Sequence, residues 1–96
     1  MRYFHRTSLP SDRVLELAAT YFGRRLTPAE EAPRRRTYSG STGRVMISAR
    51  PEGGHYTLVE VATDQVGESE VDKMAKGFLA AVHREVVPGF TVRGAY

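Results

Sequence analysis

Apolar and polar residues alternate most clearly between residues 43 and 64. The first half of this stretch is apolar on one side and mixed on the other: Val45, Ile47 and Ala49 against Arg44, Met46, Ser48 and Arg50. A period of two is typical of a β-strand, and a second alternating run follows over residues 56–63. Pro51-Glu52-Gly53-Gly54 lies between the runs. Because proline fixes φ and glycine accepts a positive φ, we predict a hairpin with its turn at these four residues.

The second strand of this hairpin has apolar residues on both sides. We assign Val59 and Val61 to the core, because Glu60 belongs to the other side. The other face is then only partly polar, and we place four large apolar residues on it: Tyr38, Met46, Tyr56 and Leu58. Contiguous exposed apolar area usually marks an interface. The alternatives are that a helix or a partner subunit covers these residues, or that they are scattered on the surface.

Two segments have the period of an α-helix. We expect the first to begin with Ser11 as its N-cap and to end at Gly23 as the C′ residue. We expect the second to begin with Ser69 as its N-cap, with Asp72 completing a shortened capping box, and to stop at Pro88-Gly89. Its apolar positions follow helical spacing: Val71, Met74, Ala75, Phe78, Leu79, Val82 and Val86.

Weaker signals mark the remaining segments. Residues 2–9 predict a first strand whose two faces look alike, so its orientation stays open. Residues 26–33 contain two prolines and predict a connector with one helical turn. Residues 34–39 predict a strand that turns at residues 40–43 into the central hairpin. Residues 90–93 are consistent with a short final strand.

These elements predict a single α+β domain over residues 1–96. The expected order is strand, helix, three-stranded antiparallel meander, helix and a short C-terminal strand. Two amphipathic helices can cover one face of a curved sheet, which is a stable two-layer arrangement. We expect the N-terminal strand to pair at an edge of this sheet.

Composition limits the function classes. The chain has no cysteine, which excludes a disulfide framework, a thiolate metal site and a cysteine nucleophile. No apolar run approaches the roughly 20 residues that span a membrane, and the first ten residues lack the apolar core of a secretory signal. We therefore expect a complete, soluble, cytoplasmic protein.

Charge is distributed unevenly along the chain. Residues 1–50 contain ten arginines and four acids, a net charge of +6, whereas residues 51–96 carry −3. Twelve of the fourteen basic residues are arginine. Arginine recognises phosphate and carboxylate groups through its planar fork, although the base composition of the genome also explains a preference for arginine.

The residues that enzymes use are sparse and scattered. His5, His55 and His83 are far apart and have no metal-ligand spacing. No serine lies in a G-x-S-x-G motif. Glu60 and Asp64 are four residues apart on one side of a strand, which separates them by about 13 Å. This distance is too long for a direct carboxylate pair. We predict a protein with no catalytic activity, no cofactor and no metal.

The mixed face of the sheet is the best candidate for a binding surface. Its predicted members are Arg34, Arg36, Tyr38, Arg44, Met46, Tyr56 and Leu58. Our first hypothesis is that this face pairs with a second copy in a twofold dimer or with another protein subunit. The alternative is a nucleic-acid-binding face, since arginines and aromatic residues on a sheet bind single strands in several folds.

A second alternative is a small carrier of apolar ligands. The strand-helix opening, the curved sheet and the long final helix resemble a reduced helix-grip architecture at the level of the fold. That architecture holds apolar ligands in other proteins, which implies a pocket between the sheet and the C-terminal helix.

Overall fold

The structure is a computed structural model that describes residues 1–86. Its elements are β1 (Arg2–Thr7), α1 (Ser11–Phe22), β2 (Thr27–Ala32), β3 (Arg35–Gly40), β4 (Gly43–Glu52), β5 (Tyr56–Thr63) and α2 (Glu70–Val86). The predicted helix stop at Pro88-Gly89 and the predicted strand at residues 90–93 lie outside the described residues.

One antiparallel sheet joins all five strands in the order β1-β5-β4-β3-β2. Strands β2 to β5 form a continuous meander, and β1 pairs with β5 at the far edge, which confirms the predicted edge position of the first strand. Helix α1 connects β1 and β2, which lie at opposite edges of the sheet, and both helices pack against the sheet. The predicted α+β fold with an antiparallel meander is confirmed.

Strand β2 was not predicted. Its residues are nearly all exposed, and its register against β3 shifts between Pro28 and Glu30. Proline is tolerated here because an edge strand has one unpaired side. The predicted connector with a helical turn is therefore wrong, since pairing with β3 decides the conformation of this segment.

The face of the sheet under the helices, which we call the covered face, is apolar as predicted. Ile47 pairs with Val61, which pairs with Tyr3. Five apolar hairpin residues of this face are fully buried: Val45, Ile47, Ala49, Val59 and Val61. Aromatic rings fill the layer between sheet and helices, where Phe22 lies 5.2 Å from Phe78 and 5.7 Å from Tyr38 between ring centroids.

The two helices begin differently. The Asp72 backbone N–H donates to Ser69 Oγ at 3.2 Å, which confirms Ser69 as the cap of α2. In α1, however, Ser11 is already helical and Pro10 occupies the N-cap position without a side-chain hydrogen bond, so the predicted Ser11 cap is wrong. Gly23 does end α1, but with a right-handed φ of −64°.

The central hairpin is longer than its sequence signal. Strand β4 continues through Pro51 to Glu52, which pairs with Tyr56. The turn consists of residues 53–55, and Gly53 and Gly54 have φ of 64° and 77°, a conformation that favours glycine. Within the described part of the chain, neither helix has the length and apolar character needed to cross a membrane.

Candidate functional site

The side of the sheet opposite the helices, which we call the open face, is uncovered by any element of the described chain. Strand pairing places the following residues on it: Arg2, Phe4 and Arg6 of β1; Tyr56, Leu58, Glu60 and Ala62 of β5; Arg44, Met46, Ser48, Arg50 and Glu52 of β4; Arg35, Thr37 and Ser39 of β3; and Glu30 of β2. The open face is therefore a broad surface of mixed chemistry.

Four of the predicted site residues come together on this face, namely Arg44, Met46, Tyr56 and Leu58. Their participation in binding stays a prediction. Arg34 precedes β3 and lies at one end of the sheet, where it lines a cleft together with Gly54 and Tyr56.

Placing Tyr38 and Arg36 on the open face was wrong. Tyr38 pairs with Val45 and Arg36 pairs with Ile47, so both belong to the covered face. Tyr38 is only 3% exposed and its ring stacks on Phe22. Arg36 instead reaches back along its own hairpin, donating to the carbonyl oxygens of Ala32 and Arg35.

Apolar side chains on the open face differ in their exposure. Leu58 is 8% exposed although no helix covers it. Its partners across the two neighbouring strands are Arg6 and Arg50, and long arginine stems can cover apolar surface. Phe4 and Tyr56, by contrast, are 59% and 55% exposed. Phe4 was absent from the predicted site, because aromatic residues occur on both sides of residues 2–9.

Most of the charge on the open face is paired within the face. Arg2 forms an ion pair with Glu60, and Arg6 Nε lies 2.6 Å from Glu52 Oε1. Arg44 and Glu30 make a looser contact of 3.9 Å. Among the described residues, no carboxylate lies within 4 Å of the remaining two arginines, Arg35 and Arg50. The face therefore keeps a modest positive excess.

Asp64 has a structural role at one end of the hairpin. The Arg44 backbone N–H donates to Asp64 Oδ1 at 2.8 Å, and this bond holds the pKa of Asp64 below its usual range. Gly43, with φ of 140°, leaves room for this contact, because a Cβ there would lie 2.9 Å from Asp64 Oδ1. The carboxylate thus fixes the strand ends.

A buried carboxylate joins β1 to α2. Asp72 is fully buried and accepts a hydrogen bond of 2.5 Å from the Tyr3 hydroxyl, with Lys76 Nζ at 3.7 Å. Burial, the hydrogen bond to Asp72 and its negative charge raise the pKa of Tyr3 to about 12. Asp72 Oδ1 has no hydrogen-bond partner among the described residues. The cluster links sheet and helix, and we assign it a structural role.

Two of the three histidines, which are far apart in the sequence, lie close together in the fold. His5 and His83 lie edge to face, with ring centroids 5.9 Å apart, whereas His55 belongs to the exposed β4–β5 turn. Burial, followed by the charge of His83, lowers the pKa of His5. The described residues contain no group of three or more histidine, cysteine, aspartate and glutamate side chains that could hold a metal ion.

The space between the sheet and α2, where an apolar ligand was hypothesised, is filled by side chains. Phe78, Leu79 and Val82 of α2 belong to one packed cluster with Ile47 and Val61 of the sheet. This packing gives no support to the carrier hypothesis, which stays untested.

Comparison with protein-family models and with curated proteins found no match to this chain. Function must therefore be argued from the geometry. An uncovered sheet face with half-exposed aromatic rings, a buried leucine and mostly paired charges can contact a large, flat partner.

Proposed function

We propose that this chain is a non-enzymatic binding domain that self-associates through the open face of its sheet. The observation that carries the proposal is Phe4, an aromatic side chain that is 59% exposed on a face without a covering helix. Tyr56 on β5 and Met46 on β4 add further apolar side chains to the same face. A large apolar side chain in water gains about 1.5–3 kcal/mol when it is fully buried, so a second copy would stabilise this face.

The size of the open face fits a dimer interface. Five strands with a spacing of about 4.8 Å make it about 24 Å wide, and strands of six to ten residues make it about 20–33 Å long. The projected area is roughly 500–800 Å², whereas a standard interface buries about 800 Å² per partner. A twofold dimer would therefore use most of the face.

The charges of the open face also suit self-association. In a twofold interface each copy presents both its arginines and its glutamates to the other. Arg35 and Arg50 have no carboxylate within 4 Å in the described part of the chain, and the Glu30 side chain is 59% exposed. A second copy can supply the missing carboxylates while the existing ion pairs remain.

The test is the mass of the protein in solution, measured by native mass spectrometry and light scattering. We expect a dimer that Phe4→Asp converts to a monomer, because each interface would then bury two unpaired carboxylates. Leu58→Asp should act in the same direction, but Leu58 is more buried, so Phe4 is the cleaner site. Val66→Asp is the matched control, since Val66 is 78% exposed in the β5–α2 connection.

Two results would contradict this proposal. One is a monomeric wild-type protein at concentrations of about 100 μM, well above the Kd of an ordinary stable dimer. The other is a dimer that survives Phe4→Asp. The proposed cytoplasmic location rests on the absence of cysteine, and fractionation of cells expressing the protein would test it.

Single-stranded nucleic acid is a second candidate for the open face. The supporting observation is that Phe4 on β1 and Tyr56 on β5 are both exposed, on the same face as Arg50, which has no carboxylate within 4 Å among the described residues. Bases stack on such rings while arginines neutralise phosphates. Fluorescence anisotropy with labelled oligouridine tests this candidate: binding should weaken steeply between about 50 and about 200 mM salt, and Arg50→Gln should weaken it further. Affinity that salt does not change would exclude it.

A further inference from the structure

A second feature of the molecule lies at one end of the sheet. Here three connections meet around a cleft of 580 Å³: residues 8–12 between β1 and α1, residues 33–34 between β2 and β3, and residues 54–57 at the β4–β5 turn. They converge because β1, β2 and β4 run in the same direction and all end here. The volume lies within the range of about 300–1,000 Å³ that is typical of small-molecule sites.

Hydrogen bonds and prolines hold the walls of this cleft in place. Thr57 Oγ1 donates to the Leu9 carbonyl at 2.6 Å, which ties the first connection to β5. The Ala49 backbone N–H donates to the Arg34 carbonyl at 3.0 Å, which ties the second connection to β4. The cleft is also lined by Pro10, Pro33 and Pro51. A ligand would therefore meet a largely preformed site.

The polar groups of the cleft favour an anion. Arg34 lines it and has no carboxylate within 4 Å among the described residues, and the His55 side chain lies nearby. Ser11 also lines the cleft, but its Oγ atom is inaccessible and does not contribute to binding an anion. Among the described lining residues, Asp12 is the only acid. A guanidinium group binds phosphate and carboxylate oxygens in pairs.

The rest of the lining is apolar and flat. Leu9 and the three prolines provide apolar surface, and Tyr56 provides an exposed aromatic ring. We propose that this cleft binds a small molecule in which a planar aromatic body carries one anionic group, phosphate or carboxylate. Arg34 holds the anionic group, and Tyr56 contacts the body.

This site is separate from the self-association that we propose for the open face. Only Tyr56 belongs to both, and Arg34 is not an open-face residue. Oligomeric state, measured as mass, reports on the open face, whereas ligand binding reports on the cleft. Failure of one proposal is therefore distinguishable from failure of the other.

The experiment is a titration of the ¹⁵N-labelled full chain with phenyl phosphate, followed by two-dimensional NMR. We expect saturable shifts at the backbone N–H groups of residues 8, 9, 11, 12, 34 and 54–57; Pro10 has no N–H to report. Arg34→Gln should weaken binding about tenfold, as expected for the loss of a hydrogen bond to a charged group. Arg35→Gln is the matched control, because Arg35 is the neighbouring exposed arginine and points to the open face. Both substituted residues are exposed, so we expect both variants to fold, and thermal melting checks this.

Three outcomes would overturn the proposal. One is the absence of saturable shifts at these residues. A second is equal weakening by Arg34→Gln and Arg35→Gln, which would show general attraction to positive charge. The third is that inorganic phosphate binds as tightly as phenyl phosphate, which would show that the cleft does not recognise the aromatic body. Repeating the titration with benzoate distinguishes phosphate from carboxylate as the preferred group.

Discussion

The covered and open faces consist of alternating residues of the same strands, yet the two faces differ in burial and in charge. On β5, Val59 and Val61 are fully buried, whereas Glu60 between them pairs with Arg2 on the open face. The centre of the covered face is apolar, and the two helices that pack on it exclude water. The open face mixes arginine, glutamate and aromatic side chains. This difference indicates that the covered face supplies the stability of the fold, and that the open face can vary without unfolding the chain.

The largest effect should come from placing a charge on the covered face. Val61→Asp buries a carboxylate without a partner, and we expect it to destabilise the fold by more than about 4 kcal/mol, enough to unfold a small domain. Ala62→Asp is the matched control on the open face, next to Arg2, and should cost less than about 1 kcal/mol. Circular dichroism and urea unfolding measure both. Similar destabilisation by the two variants would contradict the comparison of the faces.

The next largest difference in stability should come from substituting a tyrosine on each face. Tyr38 is 3% exposed and Tyr56 is 55% exposed. Tyr38→Ala should leave a cavity beside Phe22 and cost about 3 kcal/mol or more. Tyr56→Ala should change the free energy of unfolding by less than about 1 kcal/mol, while lowering the affinity of the proposed dimer. Urea unfolding and light scattering separate these effects. Equal stability losses would mean that Tyr56 is also part of the core.

Sequence reasoning succeeded where a periodic pattern is itself the cause of the structure. The stripe of α2 and the alternation of β4 predict burial directly, and Met74, Phe78 and Leu79 are buried as expected. Strand β2 has no such pattern. It becomes a strand because β3 offers it hydrogen bonds, and this pairing depends on the tertiary fold.

The candidate site was predicted less well, because the face on which Tyr38 lies was assigned incorrectly. Counting residues from β3 through the turn into β4 gives the correct face. A two-residue loop between Gly40 and Gly43 places Tyr38 opposite Val45, and Val45 lies on the side of β4 that the alternation marks as apolar. Tyr38 was instead grouped with Met46 because both are large and apolar. Phe4 could not be found in this way, since β1 joins the sheet through a long-range pairing that brings it opposite Glu60.

The covered side of β1 provides a smaller effect with a defined dependence on pH. Tyr3→Phe removes the hydrogen bond to the buried Asp72 carboxylate and should cost about 1.5–3 kcal/mol at pH 7. The pKa of Tyr3 is raised to about 12, above the value of about 10 in the unfolded chain. The protonated form is therefore favoured by folding, so this stabilisation is complete below pH 10 and is lost as the pH rises through 12.

Urea unfolding of wild type and Tyr3→Phe at pH 7 and pH 11 checks this prediction. The difference in unfolding free energy between the two proteins should shrink at the higher pH. Tyr56→Phe is the control, because its hydroxyl belongs to an exposed side chain. A difference that stays constant between the two pH values would show that Tyr3 and Asp72 are not coupled.

The smallest effect should come from His5, which also lies on the covered side of β1 and contacts His83 of α2. Burial and the charge of His83 lower the pKa of His5 below the value of about 6.5 in the unfolded chain. The neutral form is favoured by folding, so its contribution is complete above pH 6.5 and is lost as the pH falls towards and through the lower folded-state pKa. His5→Gln should therefore flatten the loss of stability between pH 7 and pH 5, measured by urea unfolding. His55→Gln, in the exposed turn, is the control and should leave the dependence of the unfolding free energy on pH unchanged. If His5→Gln shows the same dependence on pH as wild type, the acid sensitivity lies elsewhere in the molecule.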